Sequence, residues 1–354
     1  MATIVRERID GPAAWRGEEL ARATDWIRPF SPAELGELDA ALRGVQARGL
    51  PWAKITRADF PLPRLSRGLA EVADALEHGR GIALLRGLPV ARYSDEELKH
   101  LYFGLGTHLG TARHQNAHGE LIGEVRDEVR RYGAVNEPAV QKQAGEPVTS
   151  RYKARSNGPL RFHTDRCDVV ALLCVRAARA GGISRVVSTV AIHNAMLERR
   201  PDLDALLWQD YHRTREGEEV GGERSVYALP VFGVRDGRFT SQYSRTFVEA
   251  AQRVAGIPRL TADQDAALDL LAELAQELCH EMWLEPGDIQ LLNNHVIYHG
   301  RSAYEDAPGA DADRLLLRLW LAMPNSRALP EGFEVLWGSI APGALRGGIG
   351  QPAG

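Results

Sequence analysis

Two blocks of short apolar strands, far apart along the chain, limit the folds that this sequence can adopt. Residues 160–192 contain three strand-like runs, and residues 282–323 contain four, the last of which covers 314–323. Glycine-rich and Pro-Gly dipeptides separate the runs, as expected where tight turns join strands. Because the strands of both blocks need partners to bury their apolar faces, we expect a core built as a sheet sandwich or barrel.

Helical patterns lie outside these two blocks. Ser31 and Glu34 match a capping box, with Pro32 at the first helical position. The predicted helices cover residues 31–48, 65–78, 94–106, 196–207 and 261–279, and a hairpin is predicted at 226–243. A glycine-bounded apolar run at 81–87 indicates a buried strand. The polar stretch 110–153 has neither period, and a loop of this length is typical of a functional or lid-like segment.

The sequence contains no internal repeat and no linker-like change of composition. We therefore expect one domain, α+β and mainly β, that spans residues 1–354. Its parts would be an N-terminal helical region of about 1–80 and a strand-rich core of about 81–330, with the helical insert 261–279. The remaining C-terminal tail is rich in glycine and proline, and we expect it to pack loosely at the surface.

Composition argues against several kinds of partner. A formal net charge of −4 gives no electrostatic reason to expect nucleic acid or an acidic membrane. No stretch approaches the ~18 apolar residues that a membrane span needs, and the N-terminus has no apolar run of a signal peptide. Cys167, Cys174 and Cys279 form neither a disulfide framework nor a metal motif. We expect a cytoplasmic protein that acts on a small molecule, with homo-oligomer formation left open.

The segment Phe162-His163-Thr164-Asp165 carries the first chemical signal. On a strand, His163 and Asp165 point to the same face with Cα atoms roughly 6.6 Å apart, so both side chains can reach one metal ion. Two histidines and one carboxylate leave three coordination positions open, an arrangement typical of non-haem Fe(II) oxygenases. A structural His–Asp hydrogen bond is the alternative, because His-X-Asp also occurs often by chance.

A second segment, residues 287–301, offers both His295 and His299 as the third ligand. It resembles the distal histidine motif of the taurine dioxygenase (TauD/TfdA-like) family of Fe(II)/2-oxoglutarate-dependent dioxygenases, which reads Gly-Asp, an apolar run, Asn, and then His-Gly-Arg. His299 matches the metal position of that motif, and His295 does not. The resemblance implies that His163, Asp165 and His299 bind Fe(II), and that His295 is a partly buried polar side chain near the site.

The resemblance covers residues 151–324, and its motifs occur in the family's order. The Gly-Gly-Ile-Ser sequence that ends at Ser184 is similar to an element whose hydroxyl contacts 2-oxoglutarate, and Arg314 opens a strand similar to the family's arginine strand. The resemblance implies a double-stranded β-helix (jelly-roll) core with flanking helices, and a dioxygenase that uses Fe(II), 2-oxoglutarate and O2. Because Asp165 stands where halogenating relatives have a small residue, the implied outcome is hydroxylation or another C–H oxidation, with release of succinate and CO2.

The arginine strand also makes physical sense without the family. Arg314 and Arg318 share one face, so two cations point inward among apolar neighbours. A buried guanidinium is costly unless an anion pairs with it, and its fork fits a carboxylate. Ser184, Arg314 and Arg318 are thus the expected cosubstrate group; by resemblance Arg314 takes the distal carboxylate, and Arg318 faces the substrate side or braces the site. Structural salt bridges to acids elsewhere are the alternative for both arginines.

The residues that contact the substrate are less well defined by the sequence. The candidates are Arg161, Tyr152, Gln115, Asn116, Tyr243 and Arg245. Several are cationic or hydrogen-bonding, which favours a small polar or anionic molecule, although each could also be a structural polar group. Two other functions stay open. A zinc hydrolase could use the same His/Asp/His site, and a non-catalytic binding protein could retain this fold.

Overall fold

The computed structural model describes residues 5–132, 154–215, 219, 221–309 and 313–350, so the candidate residue Tyr152 lies outside the described part. The described helices are α1 (Gly17–Arg22), α2 (Pro32–Ala47), α3 (Leu65–His78), α4 (Asp95–Gly106), α5 (Glu128–Tyr132), α6 (Thr189–Arg199), α7 (Pro201–Leu206), α8 (Arg245–Ala251), α9 (Ala262–Leu278) and α10 (Glu334–Trp337). None of them is long and apolar enough to cross a bilayer.

Seventeen strands are described. They are β1 (Ile27–Pro29), β2 (Ile82–Arg86), β3 (Thr111–Ala112), β4 (Ile122–Val125), β5 (Leu160–His163), β6 (Val169–Arg176), β7 (Ala180–Gly181), β8 (Ser184–Ser188), β9 (Asp210–Thr214), β10 (Val226–Pro230), β11 (Phe232–Arg235), β12 (Arg238–Ser241), β13 (His280–Met282), β14 (Ile289–Asn293), β15 (Ile297–Arg301), β16 (Tyr304–Glu305) and β17 (Leu315–Ala322).

Two sheets form the core. The large sheet has the order β1-β2-β14-β6-β17-β3, and β4 also pairs with β17. The small sheet has the order β13-β8-β15-β5, with antiparallel pairs throughout. Both sheets mix strands from the two apolar blocks of the sequence: β6 lies between β14 and β17, and β5 pairs with β15. The strands of residues 160–192 thus pair with those of residues 282–323, as expected from their apolar pattern.

The large sheet separates two apolar clusters. On β17, Leu316 and Trp320 belong to the cluster shared with the small sheet, whereas Leu317 and Leu319 belong to the cluster under α2, α3 and α4. This alternation is the two-residue period of a strand buried on both faces. It places Arg318, which has the parity of Leu316 and Trp320, between the two sheets.

Most predicted helices agree with the structure, and one differs. A helix was expected at 196–207, but α6 already begins at Thr189, and α7 follows it after Arg200. The Ser188 hydroxyl caps α6 by accepting a hydrogen bond from the backbone N–H of Ala191. Ser188 ends the apolar strand β8, so the strand pattern hides the cap that starts the helix.

The C-terminal segment, residues 324–350, corrects the expectation of a loosely packed tail. Leu329, Phe333, Trp337 and Ile349 are all buried, with at most 2% of each side chain exposed. Arg346 is 1% exposed, and its Nε donates to Asp168 at 2.8 Å. Glycine and proline predict a lack of regular structure, but they do not prevent burial when buried side chains and backbone hydrogen bonds anchor the chain.

Candidate active site

The three predicted metal ligands lie together between the sheets. His163 on β5 pairs directly with His299 on β15, and their ring centroids are 4.3 Å apart. Asp165 follows β5, with its Oδ1 3.7 Å from His163 Nε2 and its Oδ2 3.9 Å from His299 Nε2. The ligand atoms of all three lie within 4.8 Å of one another. Two imidazole nitrogens and a carboxylate oxygen fit a metal that keeps open coordination positions.

The surroundings favour a neutral His299 and an ionised Asp165, the forms that bind a metal. His163 Nδ1 lies 2.9 Å from the carbonyl oxygen of Arg161. A carbonyl can only accept, so in the neutral ring the lone pair is on Nε2, towards Asp165. Burial and the neighbouring His163 lower the pKa of His299 to about 3. Burial alone would raise the pKa of Asp165, but Arg318 and the two histidines hold it well below its usual range.

Two side chains of β17 fix the Asp165 carboxylate. Trp320 Nε1 donates to Asp165 Oδ2 at 2.8 Å, and Arg318 Nη1 lies 3.6 Å from the same oxygen. The backbone N–H of Asp165 donates to the side-chain oxygen of Asn294, the residue that follows β14. Because these contacts occupy Oδ2, Oδ1 is the freer oxygen for a metal.

A cavity of about 500 Å³ adjoins the histidines on the side of Arg314 and Ser184. The Arg314 side chain is 5% exposed, has no salt bridge to a described acid, and its Nη1 has no hydrogen-bond partner among the described residues. Ser184 Oγ donates to Gln290 Oε1 at 3.1 Å in the same cavity. A buried guanidinium with an unsatisfied N–H on a cavity wall fits an anionic ligand such as 2-oxoglutarate.

Two further features of this cavity favour an anion. The guanidinium groups of Arg301 and Arg314 lie 4.7 and 5.0 Å from the ring centroid of Tyr304. Burial and the nearby Arg314 lower the pKa of Arg301 to about 10, as expected where two cations share one apolar cavity. Gly182 has φ +70°, and a Cβ there would lie 3.2 Å from Arg314 Nε, so the Gly-Gly element leaves room for this arginine.

A second, larger cavity of about 940 Å³ opens on the other side of the metal ligands. His163 and Arg318 line both cavities, so the candidate metal site lies where the two meet. The wall of the larger cavity carries guanidinium groups, neutral polar side chains and the carboxylate of Glu124. They include Gln115, Arg155, Arg166, Thr214, Arg215, Gln242, Ser244 and Arg318.

Gln115 and Asn116 have different positions. Gln115 lines the larger cavity, where its Oε1 accepts from Arg318 Nε at 2.6 Å and its Nε2 donates to the carbonyl oxygen of Arg318 at 2.8 Å. These contacts make Gln115 and Arg318 braces of the site. Asn116 instead accepts from the backbone N–H groups of His118 and Glu120, so it stabilises a turn and does not line either cavity beside the metal ligands.

Three other substrate candidates do not reach the cavities. Arg161 is more than half exposed and pairs with Glu249. Arg245 pairs with Glu249, Asp265 and Asp269. Tyr243 is buried in the apolar core against Tyr298. These expectations are corrected, because none of the three side chains lines either cavity beside the metal ligands.

The structure brings in residues that the sequence did not single out. Next to Tyr243 and Arg245, it is Gln242 and Ser244 that line the larger cavity. The bridge between His163 and Ser244 fixes this choice, since residues opposite each other share a face. The hairpin signal at 226–243 located the segment, but the parity of its last residues depends on pairing with β5. His295 lies behind the site, as expected, where its Nε2 is 2.9 Å from Asp168 Oδ1.

Comparison with known sequences agrees with this geometry. The sequence profile described as "Taurine catabolism dioxygenase TauD, TfdA family" matches residues 45–320. FR-33289 synthase of Streptomyces rubellomurinus is 30% identical over 347 residues, covering 96% of this chain and 98% of that protein. The taurine hydroxylase-like protein SAT17 of Stachybotrys chartarum is 29% identical over 318 residues, covering 88% of this chain and 79% of that protein.

Solved structures share the fold. Asparagine oxygenase in complex with Fe(II), 2S,3S-3-hydroxyasparagine and succinate has a TM-score of 0.58 at 18% identity, covering 84% of this chain and 93% of that one. OrfP in complex with Fe and alpha-ketoglutaric acid has a TM-score of 0.57 at 17% identity, covering 83% and 93%. The predicted α+β jelly-roll core is confirmed. Because the family profile spans most of the chain, this protein belongs to the TauD, TfdA family of non-haem iron dioxygenases, which use Fe(II) and 2-oxoglutarate.

Proposed function

We propose that this protein binds Fe(II) through His163, Asp165 and His299 and oxidises a C–H bond of a small polar or anionic molecule. The observation that carries the proposal is the position of the three ligands between two cavities, one with the buried cation Arg314 and one with a polar wall. Fe(II) and 2-oxoglutarate supply the oxidising chemistry, in which one oxygen atom of O2 enters the substrate and the other enters succinate, with loss of CO2.

Each residue of the chain has a distinct task in this proposal. The imidazoles offer Nε2 lone pairs, and Asp165 offers Oδ1 because Trp320 and Arg318 engage Oδ2. Arg314 pairs with the distal carboxylate of 2-oxoglutarate and holds the cosubstrate on its own side of the metal. The substrate would enter the larger cavity, whose wall carries four arginines against two acids, Glu124 and Asp165, and so favours a polar or anionic group.

The two rival functions explain fewer observations. A zinc hydrolase would use the same three ligands but would leave the buried Arg314 guanidinium without an anion. A binding protein would not need the open metal positions.

The anaerobic protein with Fe(II) and 2-oxoglutarate should show a weak visible charge-transfer band, which neither rival produces. Asp165→Ala and His299→Ala should abolish the band, and His78→Ala, which changes an exposed histidine, should retain it. No band in the wild type would overturn the proposed function.

Arg314→Ala should weaken the binding of 2-oxoglutarate by about 10- to 100-fold, because a charge-assisted pair to the carboxylate is lost. The concentration of 2-oxoglutarate that gives half of the visible band measures this effect. Arg176→Ala is the matched control, since Arg176 contacts Asp95 and the carbonyl oxygen of Asp313. If Arg314→Ala leaves the cosubstrate dependence unchanged and Arg318→Ala alters it, the role belongs to Arg318.

A further inference from the structure

Two buried side chains on the wall of the larger cavity each have an oxygen atom without a hydrogen-bond partner among the described residues. Gln242 is 4% exposed, and Thr214 is 7% exposed. Neither Gln242 Oε1 nor Thr214 Oγ1 has a partner among the described residues, and both side chains line the cavity. Buried polar atoms in native proteins are nearly always paired, so such atoms on a cavity wall indicate a ligand that pairs with them.

Backbone contacts fix the positions of these two residues. The N–H of Gln242 donates to the carbonyl oxygen of Val231 at 2.9 Å, and its own carbonyl oxygen accepts from Arg213 Nη2 at 3.0 Å. Arg213 precedes Thr214 on β9, and the β9–β10 pairing fixes Thr214 opposite Val226. The backbone of both residues is therefore already ordered before a ligand binds, which lowers the entropic cost of binding.

Gln242 also lies close to the metal ligands. The antiparallel bridge between His163 and Ser244 sets the register of the two segments. Gln242, His163 and Asp165 all line the larger cavity. A group held by Gln242 would thus lie in the same cavity as two of the metal ligands.

The chemistry of the pair selects the kind of ligand. A carboxamide offers one donor and one acceptor edge whichever way it is turned, and a hydroxyl can do both. The neutral side chains of Gln242 and Thr214 are poor partners for a charged ligand. An ammonium group binds best to a carboxylate, and an anion binds best to an arginine. A neutral amide in the ligand can form two hydrogen bonds with the Gln242 carboxamide. Its N–H donates to the side-chain oxygen, and its carbonyl oxygen accepts from the side-chain NH2 group. Arg166 and Arg318 on the same wall already pair with Glu223 at 2.6 Å and with Asp165 at 3.6 Å.

We propose that Gln242 and Thr214 form a subsite for a neutral amide group of the substrate. This inference rests on the proposed function, because it concerns the substrate side of the same metal site. The inference narrows the proposed substrates from polar or anionic molecules in general to those that carry an amide group.

Matched probes can test the amide directly. N-acetylglycine, N-acetyl-β-alanine and N-acetyl-4-aminobutyrate each have a ketone counterpart in which CH2 replaces N–H, namely levulinate, 5-oxohexanoate and 6-oxoheptanoate. Sulfonate and phosphonate versions extend the set. The anaerobic protein with Fe(II) and 2-oxoglutarate is titrated with each probe, and the change in the visible band gives the dissociation constant. An amide should bind about tenfold or more tightly than its ketone, because the ketone leaves the carboxamide oxygen unpaired.

Variants assign the preference to the subsite. Gln242→Met and Thr214→Val keep the size of each side chain, and they should remove or sharply reduce the amide-to-ketone ratio while the band itself still forms. Gln276→Met is the matched control, because Gln276 is exposed on α9 and far from the cavity lining. A purely structural role of Gln242 would lower stability but would not change the ratio between two probes.

The outcomes separate this inference from the proposed function. An amide preference in the wild type and in Gln276→Met, lost in Gln242→Met, would support the subsite. Equal binding of amides and ketones, retention of the preference in Gln242→Met, or a band that no amide-bearing acid perturbs would overturn it. In each of these cases the band with 2-oxoglutarate still supports the proposed function. Absence of the band would instead defeat the proposed function itself.

Discussion

Asp165 shows how much of the candidate site depends on side chains that do not themselves contact the metal. Its Oδ2 lies 2.8 Å from Trp320 Nε1 and 3.6 Å from Arg318 Nη1. Arg318 is held in turn by Gln115, which accepts from its Nε and donates to its backbone. Such supporting contacts orient a ligand and set its charge, and their loss commonly weakens metal binding.

Trp320→Phe tests this chain of contacts. The phenyl ring retains much of the apolar packing but cannot donate to Asp165 Oδ2, so the carboxylate is less well oriented. We expect metal affinity to fall by about 10- to 100-fold, measured by titration of the apoprotein with Fe(II) or Mn(II). Trp283→Phe, at a side chain that is 40% exposed, should leave the affinity unchanged. Equal affinity of Trp320→Phe and wild type would show that Arg318 alone orients Asp165.

At the scale of strands, sequence periodicity correctly predicted which side of a strand each side chain occupies when the strand runs through the core. The alternation of β17 placed Arg318 between the sheets, beside Leu316 and Trp320, as the structure has it. It failed at residues 242–245, where the side chains of Gln242 and Ser244 face the cavity. Polar residues follow one another there, so no apolar alternation marks the inward face. Only the bridge between Ser244 and His163 determines which side chains face the cavity. A shift of the pairing by one residue would turn each side chain to the opposite face.

The C-terminal segment is a second case in which composition misled. Its backbone pairs with two distant loops: the N–H of Gly348 donates to the carbonyl oxygen of Arg166 at 2.6 Å, and the N–H of Ile349 donates to that of His114 at 2.8 Å. Arg166 is the residue after the candidate ligand Asp165. Contacts between residues so far apart in sequence leave no local pattern, so turn-forming residues were the only readable signal.

Arg346→Met should therefore destabilise the protein strongly. The arginine is fully buried, and its loss would leave Asp168 without its guanidinium partner, although His295 and the N–H of Met323 remain. Removing one partner of a buried ion pair costs about 3–5 kcal/mol of unfolding free energy. Urea denaturation measures the change. Arg8→Met removes an exposed pair with Asp10 and should cost less than about 0.5 kcal/mol. Similar values for both variants would mean that Arg346 does not anchor the segment.

For the molecule as a whole, the sequence predicted the metal ligands and the cosubstrate arginine, but it did not predict which residues line the larger cavity. The three ligands and the buried Arg314 could be predicted because each lies in a short motif on a strand with a clear period. The wall of the larger cavity could not, since it combines side chains from β9, the end of β12, β17 and α10. Their proximity follows from the packing of sheets and segments, which no local pattern records.

The same burial that prepares the site for a metal makes the apoprotein sensitive to acid. In the unfolded chain a histidine takes up a proton near pH 6.5, whereas burial and His163 lower the pKa of His299 to about 3 in the folded protein. Burial also lowers the pKa of His295, against the opposing effect of Asp168. Between these values the unfolded chain binds more protons than the folded one, so protonation favours unfolding as the pH falls.

The unfolding free energy of the metal-free protein should thus be highest above about pH 6.5 and decline steadily towards pH 4. Each such histidine adds a slope of at most about 1.4 kcal/mol per pH unit. His299→Gln removes one titrating group, so its stability should fall less steeply with acid than that of the wild type. Urea unfolding between pH 7.5 and 4.5, with a chelator present, measures both curves. Parallel curves would mean that His299 is already protonated in the folded apoprotein, and that metal binding must then displace a proton from it.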